Sequence, residues 1–280
     1  MSAQPQSLSH AAAQVLGCAN PAQKAELSRA YAQQIRQNPD LVRLDASVTL
    51  PIVPAREDKP LLMAPKDMPK RRISANKENR FALLHALAHI ELNAINLAWD
   101  IAARFSQIDF PTQFYWDWLK VADDESKHFL LLKERLSALG GSYGDLPAHD
   151  GLWLSAQVTA DDPLARLAVV PMVLEARGLD VTPSMINKFK AINDLETVGA
   201  LEIIYEDEVT HVAAGRRWFE WLAKEKRHND LITLWQELVK AHFQGILKRP
   251  FNIPARFEAG MQPQYYIPLA DWYETIDLGD

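Results

Sequence analysis

The sequence predicts an all-α protein organised around four long helices, and three observations predict it. Apolar residues recur every three or four positions over long stretches, glycines and prolines fall mostly between those stretches, and strand-like alternation is nearly absent. At 280 residues with 48% hydrophobic content, the chain is long enough to bury a sizeable core. A net charge of −6 argues against a broad phosphate-binding footprint, despite the local basic runs "KRR" at 70–72 and "KEKRH" at 224–228. Nucleic acid is therefore not the expected partner. The one cysteine, Cys18, permits no internal disulfide, and the N-terminus lacks the basic and apolar regions of a leader. No stretch of about 18 uninterrupted apolar residues offers a membrane span. A cytoplasmic protein without a membrane partner is expected.

Residues 8–37 read as two short helices broken at "NP", residues 20 and 21. A Pro-rich segment follows over 38–72, with five prolines from Pro51 to Pro69, and reads as an extended linker over the surface. The first long helix covers 74–105, with Ser74 or Asn76 as its cap. The second covers 112–141 and stops at a glycine pair. The short connection "SQIDFP" makes these two antiparallel neighbours. Residues 142–153 form a turn-rich crossing. A third helix over 162–179 opens on Asp and Pro and contains Pro171; "TPSMINKFKAIND" then offers a new cap and a short helix over 182–194. A long helix over 195–225 and another near 231–246 complete the regular structure. The expected domains are an N-terminal helical extension and linker (1–73), a four-helix bundle (74–246) and a Pro- and aromatic-rich tail that wraps it (247–280).

The chemistry lies in "EDEVTH", residues 206–211, inside an otherwise apolar helical run. Glu208 and His211 stand three apart, and the second long helix repeats that spacing at Glu125 and His128 in "DDESKHF". Residues three apart share a helix face, so a carboxylate and an imidazole can reach one metal. Each of the other two long helices carries a carboxylate among apolar neighbours. Glu91 precedes Glu125 by 34 residues and Glu175 precedes Glu208 by 33, so the chain holds the same half-site twice. One Glu from each of two helices and a Glu-x-x-His from each of two others is the ligand set of a dinuclear site in a four-helix bundle. Four carboxylates balance two divalent ions.

Bland readings compete at other positions. A third Glu-x-x-His, Glu225 and His228, falls at a charged helix end and reads as solvated surface. His85 and His89 lie more than roughly 100° round the helix from Glu91 and read as structural. Tyr205, three before Glu208, is a candidate catalytic residue that could hydrogen-bond a ligand or be oxidised, with an ordinary core tyrosine as the rival. Arg177 and Asp180 could orient carboxylates, and His149 and Asp150 could fold over the site.

The order Glu, Glu-x-x-His, Glu, Glu-x-x-His resembles the ferritin-like superfamily. The stretches "YGDLPAHDGLW", "VPMVLEARGLDVTP" and "EDEVTHVAAGRRWF" look like the signatures of a bacterial ferritin-like family whose biochemical role is unassigned, distantly similar to the non-haem di-iron tRNA hydroxylase. The resemblance spans about residues 75–260. It implies a ferritin-like four-helix bundle and carries the metal-ligand role to Glu91, Glu125, His128, Glu175, Glu208 and His211. No basic groove matches a tRNA substrate. The expectation is an oxidase or monooxygenase with two iron ions, O2 as co-substrate, a small-molecule substrate and an external electron donor. Carboxylate and imidazole suit manganese equally. Ferroxidase or iron handling, a structural di-metal role, and a homodimeric assembly stay open.

Overall fold

The structure, a computed structural model, describes residues 5–64, 67–68 and 76–277. Helices dominate it: α1 (Leu8–Gly17), α2 (Pro21–Gln37), α3 (Lys77–Arg104), α4 (Thr112–Ala138), α5 (Gly151–Val158), α6 (Pro163–Val169), α7 (Ala176–Ala191), α8 (Leu195–Glu225), α9 (Leu231–His242), α10 (Ile253–Glu258) and α11 (Pro263–Asp277). Among the described residues the only extended pairing is a single bridge between Leu62 and Ala148. The chain divides into two compact units, one of residues 1–153 with 188–200, the other of residues 154–187 with 201–280.

In the first unit, Asn76 starts α3 by accepting a hydrogen bond from the Asn79 amide at 3.0 Å. Ser74, the alternative cap, and the "KRR" run lie outside the described residues. A Cβ at Gly141, just past α4, would overlap the ring of Phe81 near the start of α3, so the two helices run antiparallel. The glycine pair ends α4 as expected, with Gly140 at φ +75°. Ser28 of α2 ties both helices to the N-terminal hairpin. Its hydroxyl donates to Ala122 O at 3.1 Å and accepts from Trp99 Nε1 at 2.8 Å. The 38–64 segment is irregular and anchored by backbone bonds, Ala55 N–H to Leu16 O and Met63 N–H to Ala148 O, each 2.8 Å. α3 alone among the described helices has the length and apolarity of a membrane span, and 67% of that stretch is buried inside the protein, as in a core helix.

The second unit corrects two expectations. The helices expected over 162–179 and 182–194 are one uninterrupted helical run from Pro163 to Ala191. Pro171 lacks an N–H, and the ladder widens to a π-type turn over Val170–Glu175 that absorbs the ring. Pro183 sits inside α7 rather than ending a helix. Its missing N–H leaves Leu179 O without the usual partner four residues on, and Asn252 Nδ2 donates to that carbonyl at 3.0 Å instead. The second correction concerns short helices. α5 occupies the end of the expected turn-rich crossing, and α10 and α11 occupy the tail, with Tyr265, Tyr266 and Leu269 buried. The tail is pinned by Arg256, which donates to both carboxylate oxygens of Asp180 at 2.9 and 2.7 Å.

Candidate metal sites

In the first unit, α3 presents Glu91 and α4 presents Glu125 and His128. Asn76 caps α3, α4 begins after Pro111 without a side-chain cap, and the 3.6-residue periodicity sets the face of each helix. His128 Nδ1 lies 3.1 Å from Glu91 Oε2 and 3.5 Å from Glu125 Oε2. One ligand atom of each lies within 4.8 Å of the others, and all three side chains are buried. Burial first, then the charge of Glu125, pushes the Glu91 carboxyl up to about 8, although its hydrogen bond to His128 opposes the rise. Two carboxylates in so dry a place hold a proton between them unless another cation replaces it.

In the second unit, Glu175 closes the π-type turn, and α8 presents Glu208 and His211. The π-type turn adds a residue to the helical circuit, which changes the direction in which Glu175 leaves the helix relative to a regular ladder. Ligand atoms of Glu175, Glu208 and His211 lie within 4.8 Å of one another, with His211 Nδ1 3.9 Å from Glu208 Oε2. A Cβ on Gly178 would lie 3.8 Å from Glu208 Cδ, so the backbone of α7 walls this carboxylate closely.

Each triad thus offers two carboxylates and one imidazole. Hard oxygen donors with one imidazole fit a divalent ion such as iron or manganese, and two carboxylates neutralise its charge. The fit rests on the donor chemistry and on the crowding of buried carboxylates.

The remaining candidates occupy other places. Tyr205 is half-buried and its hydroxyl accepts from Asn252 Nδ2 at 2.9 Å. Asn252 also caps α10, and its backbone N–H donates to Asp180 Oδ1 at 2.9 Å. Nothing in the local sequence "RPFNIPAR" separates this hub from an ordinary helix cap. Arg177 donates to Lys248 O at 2.8 Å, so it and Asp180 anchor the C-terminal segment. His89 pairs with Tyr143, Nδ1 to hydroxyl 2.7 Å, and His85 Nε2 accepts from the Gly144 amide at 2.9 Å. Both histidines bind the 142–150 crossing to α3. His149 lies on that same side, its carbonyl 3.1 Å from His89 Nε2. Glu225 and His228 are exposed.

Residues 17–267 match the family described as "Protein of unknown function (DUF455)". A Haemophilus influenzae protein described as "Uncharacterized protein" is 43% identical over 253 residues, covering 88% of this chain and 87% of that protein. No solved structure matches.

Proposed function

The chain belongs to the DUF455 family, and we propose that it is a di-metal oxidase or monooxygenase in which Glu91, Glu125 and His128 hold one divalent ion and Glu175, Glu208 and His211 hold a second. The observation that carries this reading is the repetition of one buried triad, two carboxylates and an imidazole, in both halves of the sequence. Iron is the favoured ion, with manganese admitted by the same ligands. Such ions supply O2 binding and one-electron chemistry that side chains lack. The ligand-bearing helices follow one another along the chain in ferritin-like order, and that bundle is part of the proposal.

The protein's own residues set the conditions. Glu91 orients the imidazole of His128, and burial excludes water from both. Tyr205, held by Asn252, is the side chain we assign to electron or hydrogen-bond supply beside Glu208. A small organic molecule is the proposed substrate, an external reductase the proposed electron donor and a homodimer the proposed assembly.

The test is O2 uptake by protein loaded anaerobically with Fe(II). Stoichiometric consumption faster than by free Fe(II), without mineral accumulating, supports the oxidase reading. Hundreds of ions per particle would indicate storage, and thermal stabilisation by metal without O2 uptake would indicate a structural role.

A further inference from the structure

A cavity of about 70 Å³ lies within the first unit, between α2, the 53–62 segment, α3 and the 143–153 crossing. His89, Asn93 and Asn96 line it from α3 and lie roughly 140–160° round that helix from Glu91. It is therefore separate from the Glu91 triad. A water needs about 10–15 Å³ by the same measure, so the space takes about five waters or one carboxylate or phosphate group.

The side chain that gives this cavity its character is Lys24. It is 2% exposed, and its ammonium donates to Ala55 O at 3.2 Å and to Asn96 Oδ1 at 2.7 Å. Both partners are neutral, and an ammonium carries three N–H groups. Among the described residues Lys24 makes no ion pair, and a buried charge of this kind is ordinarily compensated. Arg56 brings a second cation to the wall, exposed and steadied by its bond to Pro60 O at 2.9 Å. Of the two carboxylates in the wall, Glu57 is engaged by Asn20 Nδ2 at 2.8 Å, and burial holds the carboxyl of Asp150 above its usual range. Val53, Leu92 and Trp153 supply an apolar side to the same space, and Val53 is 51% exposed.

We propose that this cavity is a binding site for a small oxyanion, a carboxylate or phosphate group, which completes the coordination of Lys24 and is met by Arg56. An aliphatic portion of the ligand would lie against Val53, Leu92 and Trp153. The protein thus carries an anion site on one side of α3 and a metal triad on the other.

The experiment is thermal denaturation and isothermal titration of the full chain with sodium acetate, sodium butyrate and inorganic phosphate, at ionic strength matched with chloride. A saturable rise in Tm with at least one of the three is expected. Butyrate above acetate identifies an organic carboxylate, and phosphate above both identifies a phosphate group. Lys24→Met should abolish the saturable component. Arg56→Ala removes an exposed cation without touching the core, and should weaken binding at least tenfold even if Lys24→Met folds poorly. The proposal is overturned if no anion outperforms chloride, or if Arg56→Ala binds as wild type does.

Discussion

His128 Nδ1 and Glu91 Oε2 stand 3.1 Å apart although 37 residues separate them in the chain, and Glu125 Oε2 stands 3.5 Å from the same nitrogen. Three groups that would each be costly to bury alone are buried together. The arrangement is stable only if a proton or a cation sits among the carboxylates.

Divalent metal should therefore stabilise the fold. A ligand that binds only the native state at 100 times its Kd adds about 2.7 kcal/mol. Differential scanning calorimetry with and without Mn(II) should show a clear rise in Tm, and a chelator should reverse it. Equal Tm values in metal and chelator would contradict this expectation.

Gly215 faces Pro171 across the second unit, where an added Cβ would overlap the proline Cβ. Gly215→Ala gains about 1 kcal/mol of helix propensity but must displace a rigid buried ring, an overpacking cost of about 1–3 kcal/mol. The overlap leaves little room to yield, so a net loss of up to about 2 kcal/mol is expected from urea denaturation. A variant more stable than wild type would show that α8 can shift freely.

Asn252→Ala should cost about 1–3 kcal/mol. It removes the α10 cap, the donor to Tyr205, and the donor that substitutes for Pro183's missing N–H at Leu179 O. Thermal melts check this directly. An unchanged Tm would mean that water satisfies all three groups equally well.

The fold was legible wherever local chemistry decides it. Asn76, Asp162 and the Gly140 turn mark helix ends by capping and by positive φ, and the structure places ends there. Four of the six ligand candidates were legible because i, i+3 spacing within an apolar face is a local pattern, and Glu91 and Glu175 because each is a carboxylate among apolar neighbours at nearly the same distance, 34 and 33 residues, before a Glu-x-x-His pair. Pro183 misled because its compensation is non-local: the donor to Leu179 O comes from 73 residues away. Lys24 was invisible for the same reason. In "PAQKAELSR" it reads as an ordinary surface lysine, and it is packing against both α3 and the 53–62 segment, distant in sequence, that surrounds it.

Burial pushes the Lys24 amine down to about 8 from 10.5, against a smaller opposing influence of Cys18. Between those values the unfolded chain keeps a proton that the folded chain has released, so this contribution to stability rises with pH across the window. Below pH 8 both states are protonated and the contribution is flat. The stability of wild type relative to Lys24→Met should thus increase by up to about 3 kcal/mol from pH 8 to 10.5. Urea titrations at pH 7, 8, 9 and 10 check the sign, and a pH-independent difference would contradict it.

The most direct measurement is metal content by mass spectrometry, on protein purified without added metal, for wild type and for Glu125→Ala combined with Glu208→Ala. Two iron or manganese ions per chain in wild type, lost in the double variant, are the predicted result. Wild type that is metal-free and also fails to take up added Fe(II) would contradict the metal reading of both triads.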